Sequence, residues 1–146
     1  MKKRIERHDI IRTIVREQEI RTQRDLVDAL RSEGYECTQA TVSRDISDMD
    51  LVKADEGVYM LREDLHFKRL AHDLVIDVIL VDIFVIIKTH SGMAQGVAAA
   101  IDGARLDHVL GTIAGDDTIL IITGQADEAA QLVSTINVLR TDSPSE

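Results

Sequence analysis

Thr38-Gln39-Ala40-Thr41-Val42-Ser43-Arg44-Asp45-Ile46-Ser47-Asp48-Met49 places apolar side chains at Val42, Ile46 and Met49, in a helix that starts near Thr38. That i, i+4, i+7 spacing is the signature of an amphipathic helix. At about 100° per residue the three apolar positions cluster within about 60° of one another, and Arg44 lies about 200° from Val42. Ala40, Thr41, Ser47 and Asp48 share the outer side, with Ser43 at its edge. The start of the helix therefore presents Gln39, Thr41, Ser43 and Arg44 outward. These residue types suit base edges in a DNA major groove: Arg for guanine, Gln for adenine, a Thr methyl for the thymine methyl. By itself the stretch reads first as a solvated helix with an Arg44–Asp48 pair. The flanking sequence separates the two readings.

Upstream, Ile5, Ile11, Ile14 and Val15 give a helical stripe over 3–17. Thr22 with Asp25 forms a capping-box start, Leu26, Val27 and Leu30 supply an apolar face, and Gly34 stops that second helix. Downstream, 51–54 and 58–61 flank Asp55-Glu56-Gly57 and read as a small hairpin with Gly57 at the left-handed position. Three helices and a hairpin make a winged helix-turn-helix, whose third helix enters the major groove. We assign it to residues 1–64.

Residues 65–73 are charged and aperiodic and read as a linker; they hold no Pro or Gly, so partial helicity is compatible with them. From 74 to 140 the period changes. Residues 74–89 are rich in Val and Ile and too long for one typical strand, so we divide them at Val81-Asp82. A helix over 91–104 with Ser91 as N-cap follows, then strands over 108–114 and 118–123 and a helix over 126–139. The order ββαββα predicts a mostly antiparallel sheet with helices on one face, so the whole chain is α+β. Residues 141–146 read as a disordered tail.

Net charge is −9, which at first argues against a nucleic-acid partner, but the distribution is uneven. Residues 1–24 carry eight Lys/Arg against four acids, a net of +4, and 66–146 carry five against eleven, a net of −6. The positive end suits phosphates and the acidic end keeps away from them. The most apolar run, 74–87, is interrupted by Asp77 and Asp82 and falls short of the roughly 20 residues of a membrane span. No apolar segment follows the charged start, so no secretory signal is expected. The lone Cys37 reads as a small hydrophobe and is compatible with a reducing cytoplasm.

In the second half, Gln95 and Asp102 stand seven apart, about 20° from eclipsed on a helix, within the Ala-rich segment 96–101. Asp116-Asp117 occupies a turn between two apolar strands. Adjacent carboxylates repel unless they are solvated or share a cation. A guanidinium is a cation that carboxylates take bidentately; an ordinary exposed turn remains the alternative. The spacing matches no EF-hand loop, and no metal site is assigned. No Ser–His–acid or Cys–His set and no phosphate loop is present, and His8, His66, His72, His90 and His108 are scattered, so no catalytic residue is assigned.

Thr38 to Asp45 resembles the recognition helix of the arginine repressor family, and Gly111-Thr112-Ile113-Ala114-Gly115-Asp116-Asp117-Thr118-Ile119 resembles its arginine-binding turn. Thr89-His90-Ser91-Gly92-Met93-Ala94-Gln95 resembles the segment before the sensing helix, where the family's Pro-Gly is here Ser91-Gly92. The likeness covers about residues 3–140. It implies a cytoplasmic transcriptional regulator that represses arginine biosynthesis genes on double-stranded operator DNA. It implies L-arginine as corepressor and no other cofactor. It implies a homohexamer, a dimer of trimers built from the C-terminal α/β sandwich-like oligomerisation domain, with no membrane partner. By position, Gln95, Asp102, Asp116 and Asp117 are then ligand residues; Ser43 and Arg44 are the main DNA readers, supported by Gln39 and Thr41. Activation of arginine catabolism and an accessory role in recombination are alternatives. A stand-alone amino-acid sensor partnering an enzyme is another, and it would need neither the basic helix nor Arg44.

Overall fold

The computed structural model describes residues 2–141 and divides into two units, Met1–Leu65 and His66–Glu146. Of the segment expected to form a tail, Thr141 closes the last helix and 142–146 lie outside the described residues.

The first unit holds α1 (Lys2–Glu17), α2 (Gln23–Ser32), α3 (Gln39–Asp48) and a hairpin of β1 (Leu51–Lys53) and β2 (Tyr59–Leu61). Its core is Ile11, Ile14, Val15, Ile20, Leu26, Leu30, Val42, Leu51 and Leu61. Ile5, expected on the α1 stripe, is instead 61% exposed. The helical period explains this. The face carrying Ile11, Ile14 and Val15 continues toward the N-terminus through His8, Arg7 and Arg4, and Ile5 falls about 120° from Ile11.

Local chemistry sets the ends of these elements. Thr22 and Asp25 form both bonds of a capping box: the Asp25 N–H donates to Thr22 Oγ1 at 3.0 Å and the Thr22 N–H to Asp25 Oδ2 at 3.1 Å. Gly34, at φ +87°, ends α2; Tyr35 N–H donates to Leu30 O and Gly34 N–H to Arg31 O, a Schellman closure. Thr38 caps α3 by accepting from the Thr41 N–H at 3.2 Å. Gly57, at φ +80°, closes the hairpin turn, and its N–H donates to Ala54 O.

Helix α4 (Arg62–Leu74) covers the segment read as a linker. Phe67 and Ala71 are fully buried in the core of the second unit, so two apolar residues four apart root this helix there.

The second unit continues with β3 (Val75–Val81), β4 (Phe84–Thr89), α5 (Ala94–Ala104), β5 (Gly111–Ala114), β6 (Thr118–Ile122) and α6 (Ala126–Thr141). The sheet is antiparallel throughout, in the order β3-β4-β6-β5. Val85, Ile87, Ile119 and Ile121 alternate onto one face and are buried with Val97 and Ile101 of α5 and Leu132 and Ile136 of α6. The opposite face carries the aligned row Ile79, Ile86, Leu120 and Ile113, of which Ile79 is 38% and Ile113 64% exposed. The β3–β4 turn, poor in Gly and Asn, works because Asp82 takes φ +57°, which a short polar side chain tolerates.

Two boundaries differ from expectation. Helix α5 begins at Ala94, and Ser91 is not its cap: the preceding residue, Met93, makes no side-chain capping bond. Gly92 sits at φ +79° and interrupts the helix, and Met93 N–H donates to His90 O at 3.1 Å. His90 to Met93 is therefore a type II turn with Ser91 at its second position. Strand β5 begins at Gly111 rather than 108, because His108 stands at φ +74°.

Candidate functional site

The outward end of α3 carries Gln39, Ser43 and Arg44, all exposed, and Thr41, half-buried with its hydroxyl 3.0 Å from that of Thr38. Asp48, the expected i+4 partner of Arg44, is taken by Arg4 Nη2 at 2.6 Å. Arg44 has no ion pair among the described residues. It stands as a projecting guanidinium on the exposed face of a capped helix, available to a polyanion.

Beneath that face lies a group that sequence reasoning missed. Asp45 is 2% exposed and accepts a two-bond fork from Arg7, through Nε and through Nη2 at 2.9 Å, while His8 Nε2 lies 2.9 Å from its Oδ1. Burial alone would push the Asp45 carboxyl up, but the bonds from Arg7 and His8 outweigh it and hold it below the ordinary carboxylate value. The available signal was an acid on the inward side of an amphipathic helix, three residues from Val42, which requires a cation from elsewhere. Asp64, also 2% exposed, is likewise held by Arg16 through bonds of 2.8 and 3.0 Å.

These pairs engage part of the basic N-terminus within the chain. Arg4, Arg7 and Arg16 neutralise internal acids, and Arg21 reaches Glu19 and donates to Glu56 O in the hairpin turn. Lys3, Arg12 and Arg24 carry no ion pair among the described residues. His8, Asp45 and Asp48 bring donor atoms within 4.8 Å of one another, but Arg4 and Arg7 already hold both carboxylates, which disfavours a metal there. The Cys37 thiol is half-buried and pushed up by that burial, in keeping with a small apolar role.

In the second unit, Gln95, Asp102 and Asp116 are exposed and Asp117 is half-buried. The Asp116-Asp117 turn docks at the start of α5: Ala94 N–H donates to Asp116 O at 3.2 Å, and Thr89 N–H to Asp117 O at 2.8 Å. Gln95 is thus brought beside the aspartate turn. Asp102 lies about 10 Å farther along α5, at 1.5 Å per residue, and accepts from Thr112 Oγ1 at 2.9 and 3.1 Å. On one chain the four residues form two groups, one at each end of the helix.

A second missed residue lies here. Lys88 Nζ stands 3.7 Å from Asp117 Oδ1 and bonds Thr118 Oγ1. The Thr118 hydroxyl and the Lys88 charge hold the Asp117 carboxyl below its ordinary value. Two adjacent acids are tolerated partly because a cation on the neighbouring strand faces one of them. Among the described residues no helix is long and apolar enough to cross a membrane.

The sequence model described as the DNA-binding domain of the arginine repressor matches residues 1–67, and that of the arginine repressor C-terminal domain matches 71–138. The chain belongs to the arginine repressor family. Proteins named arginine repressor are similar along almost its full length. That of Halothermothrix orenii is 35% identical over 91% of this chain and 96% of its own. That of Bacillus pumilus is 41% identical over 90% and 95%, and that of Thermus thermophilus 42% over 90% and 86%. A family of repressors is a family of regulators, not of enzymes. In arginine repressor terms, Arg44 falls within the DNA-binding match, and Gln95, Asp102, Asp116 and Asp117 within the C-terminal one.

Proposed function

We propose that this chain is a cytoplasmic, arginine-responsive transcriptional repressor. It binds double-stranded operator DNA of arginine biosynthesis genes as a homohexamer, a dimer of trimers, with L-arginine as corepressor. The observation that carries the reading is the division of the sensing residues into two groups about 10 Å apart along α5. A second copy that brings its own acids to either end of α5 would let the guanidinium and the α-ammonium each be met by more than one carboxylate. The uncovered apolar row Ile79, Ile86, Leu120 and Ile113 supports assembly through this unit, since exposed apolar rows on a sheet face mark association.

Ligand and assembly are then linked by charge. Six chains at −9 each carry a formal −54. Arginine, net positive, lowers the repulsion between acidic faces while bridging carboxylates, so it stabilises the assembled state by mass action. Assembly brings several α3 helices to one DNA, and DNA affinity rises by multivalency without any new contact. Ser43 and Arg44 read base edges, and Gln39 and Thr41 support them.

Genome-wide DNA binding with and without L-arginine tests the reading. Arginine-dependent occupancy upstream of arginine biosynthesis genes is expected. Occupancy unchanged by arginine would overturn it.

A further inference from the structure

Arg4, Arg7 and His8 occupy i, i+3 and i+4 on α1, and so share one face. Asp45 and Asp48 on α3 stand one turn apart and meet them: Arg7 and His8 on Asp45, Arg4 on Asp48. The outer pair is open to water, with Arg4 and Asp48 side chains 53% and 43% exposed, and holds little. The inner pair is withdrawn, at 17% for Arg7 and 2% for Asp45. Helix α3 packs on α2 and β1 and shares the apolar core around Val42 with α1; the charged side chains add a directional contact between α1 and α3.

A buried ion pair is a weak stabiliser, because the cost of desolvating both charges offsets most of their attraction; apolar residues of similar volume commonly do as well. What the pair supplies is direction. The planar fork of a guanidinium bonds both oxygens of a carboxylate only at one angle and distance, whereas apolar side chains slide over each other at little cost. Asp45 adjoins Arg44 in the chain, so a roll of α3 that breaks the fork carries Ser43 and Arg44 with it. At a side-chain radius of about 5 Å, a roll of about 10° displaces an outer atom by about 1 Å. That is enough to spoil a two-bond contact to a base edge.

We propose that Asp45, held by Arg7 and His8, is a positioning residue that fixes the roll of the DNA-reading helix. The grip sets discrimination between operator and other DNA, and a matched apolar replacement of the pair leaves fold stability and overall DNA affinity close to wild type. Arg7 is then no phosphate contact, although it lies in the basic N-terminus. The proposal rests on the reading of α3 as the DNA-reading helix.

The test uses the full chain with L-arginine and two duplexes, one selected by the wild-type protein from a random library and its scrambled counterpart. The variants are Arg7→Lys, the double change Arg7→Met with Asp45→Leu, and Arg44→Ala. The measurements are melting temperature, the ratio of affinities for the two duplexes, and the slope of log affinity against log salt. The double variant is expected to melt within a few degrees of wild type and to lose at least tenfold in the affinity ratio. Arg7→Lys keeps the charge and loses the fork. It should lower the ratio several-fold with the salt slope unchanged, and this decides the matter even where the double variant does not fold. A wild-type ratio in Arg7→Lys overturns the proposal. So does a double variant that weakens both duplexes equally with a shallower slope, the behaviour of a phosphate contact. If Arg44→Ala loses discrimination while the Arg7 variants keep it, the grip fails and the helix reading stands. If Arg44→Ala discriminates like wild type, the helix reading falls and the proposal with it.

Discussion

Replacing Ser91 by Pro tests the geometry at the entrance to α5. His90 to Met93 is a type II turn with Gly92 at φ +79° and a Met93 N–H to His90 O bond of 3.1 Å. The second position of such a turn prefers φ near −60°, which proline imposes. Neither bond anchoring the turn, His90 N–H to Leu74 O and Met93 N–H to His90 O, uses the Ser91 N–H that proline would remove. Ser91 makes no capping bond, so no cap is lost. The gain comes from the unfolded chain, which loses freedom it otherwise surrenders on folding, and is about 0.4–1 kcal/mol. For a unit of this size about 1 kcal/mol moves the midpoint by about 4–8 °C, so Ser91→Pro should melt about 2–8 °C higher. Gly92→Ala should move the other way, because a Cβ in the left-handed region costs roughly 1–2 kcal/mol. The assay is thermal unfolding by circular dichroism at one fixed protein concentration, since the proposed assembly would make the midpoint depend on concentration. Calorimetry should show arginine binding retained or tightened in Ser91→Pro. A lower midpoint for Ser91→Pro, or a neutral Gly92→Ala, would refute the turn assignment.

Arg44→Ala should abolish specific operator binding in a gel shift while leaving assembly intact; a lost base contact costs about 1–3 kcal/mol for each helix engaged. Arginine should raise the melting temperature well above what equal concentrations of citrulline or lysine achieve, because a urea lacks the charge and an ammonium the planar fork. Asp117→Asn should narrow that difference, and equal shifts for arginine and citrulline would remove the charge-reading role of the aspartate turn. The Asp45 carboxyl is held below its ordinary value when folded. Its contribution to stability is therefore complete above the unfolded value of about 3.9 and is lost as pH falls through the lower folded value. Denaturant titrations between pH 7 and pH 2.5 should show a loss below about pH 4 that is smaller in Asp45→Asn; equal losses would mean other carboxylates account for it.

Much of the fold was legible because its determinants are local. The capping box of Thr22 and Asp25, the stop at Gly34, the helix start near Thr38, the turn at Gly57 and the order ββαββα depend on residues within one turn of helix or one pleat of strand. The outward direction of Arg44 follows from helical rotation alone. The expectation at Ser91 failed because a serine before a helix and a serine inside a type II turn look alike until Gly92 takes its left-handed φ.

What the tertiary structure decided is the fate of the charges. Arg7 meets Asp45 across 38 residues of chain and Arg16 meets Asp64 across 48. Lys88 meets Asp117 only because β4 and β6 are neighbours in the sheet. The same closure sets Gln95 beside the aspartate turn and leaves Asp102 at the far end of α5. By itself the sequence determined which faces are apolar, because hydrophobic burial is summed along a period that can be read from one chain. Ion pairing has no period. A charge is satisfied by whatever folding brings within a few ångströms, so partner and role belong to the assembled fold.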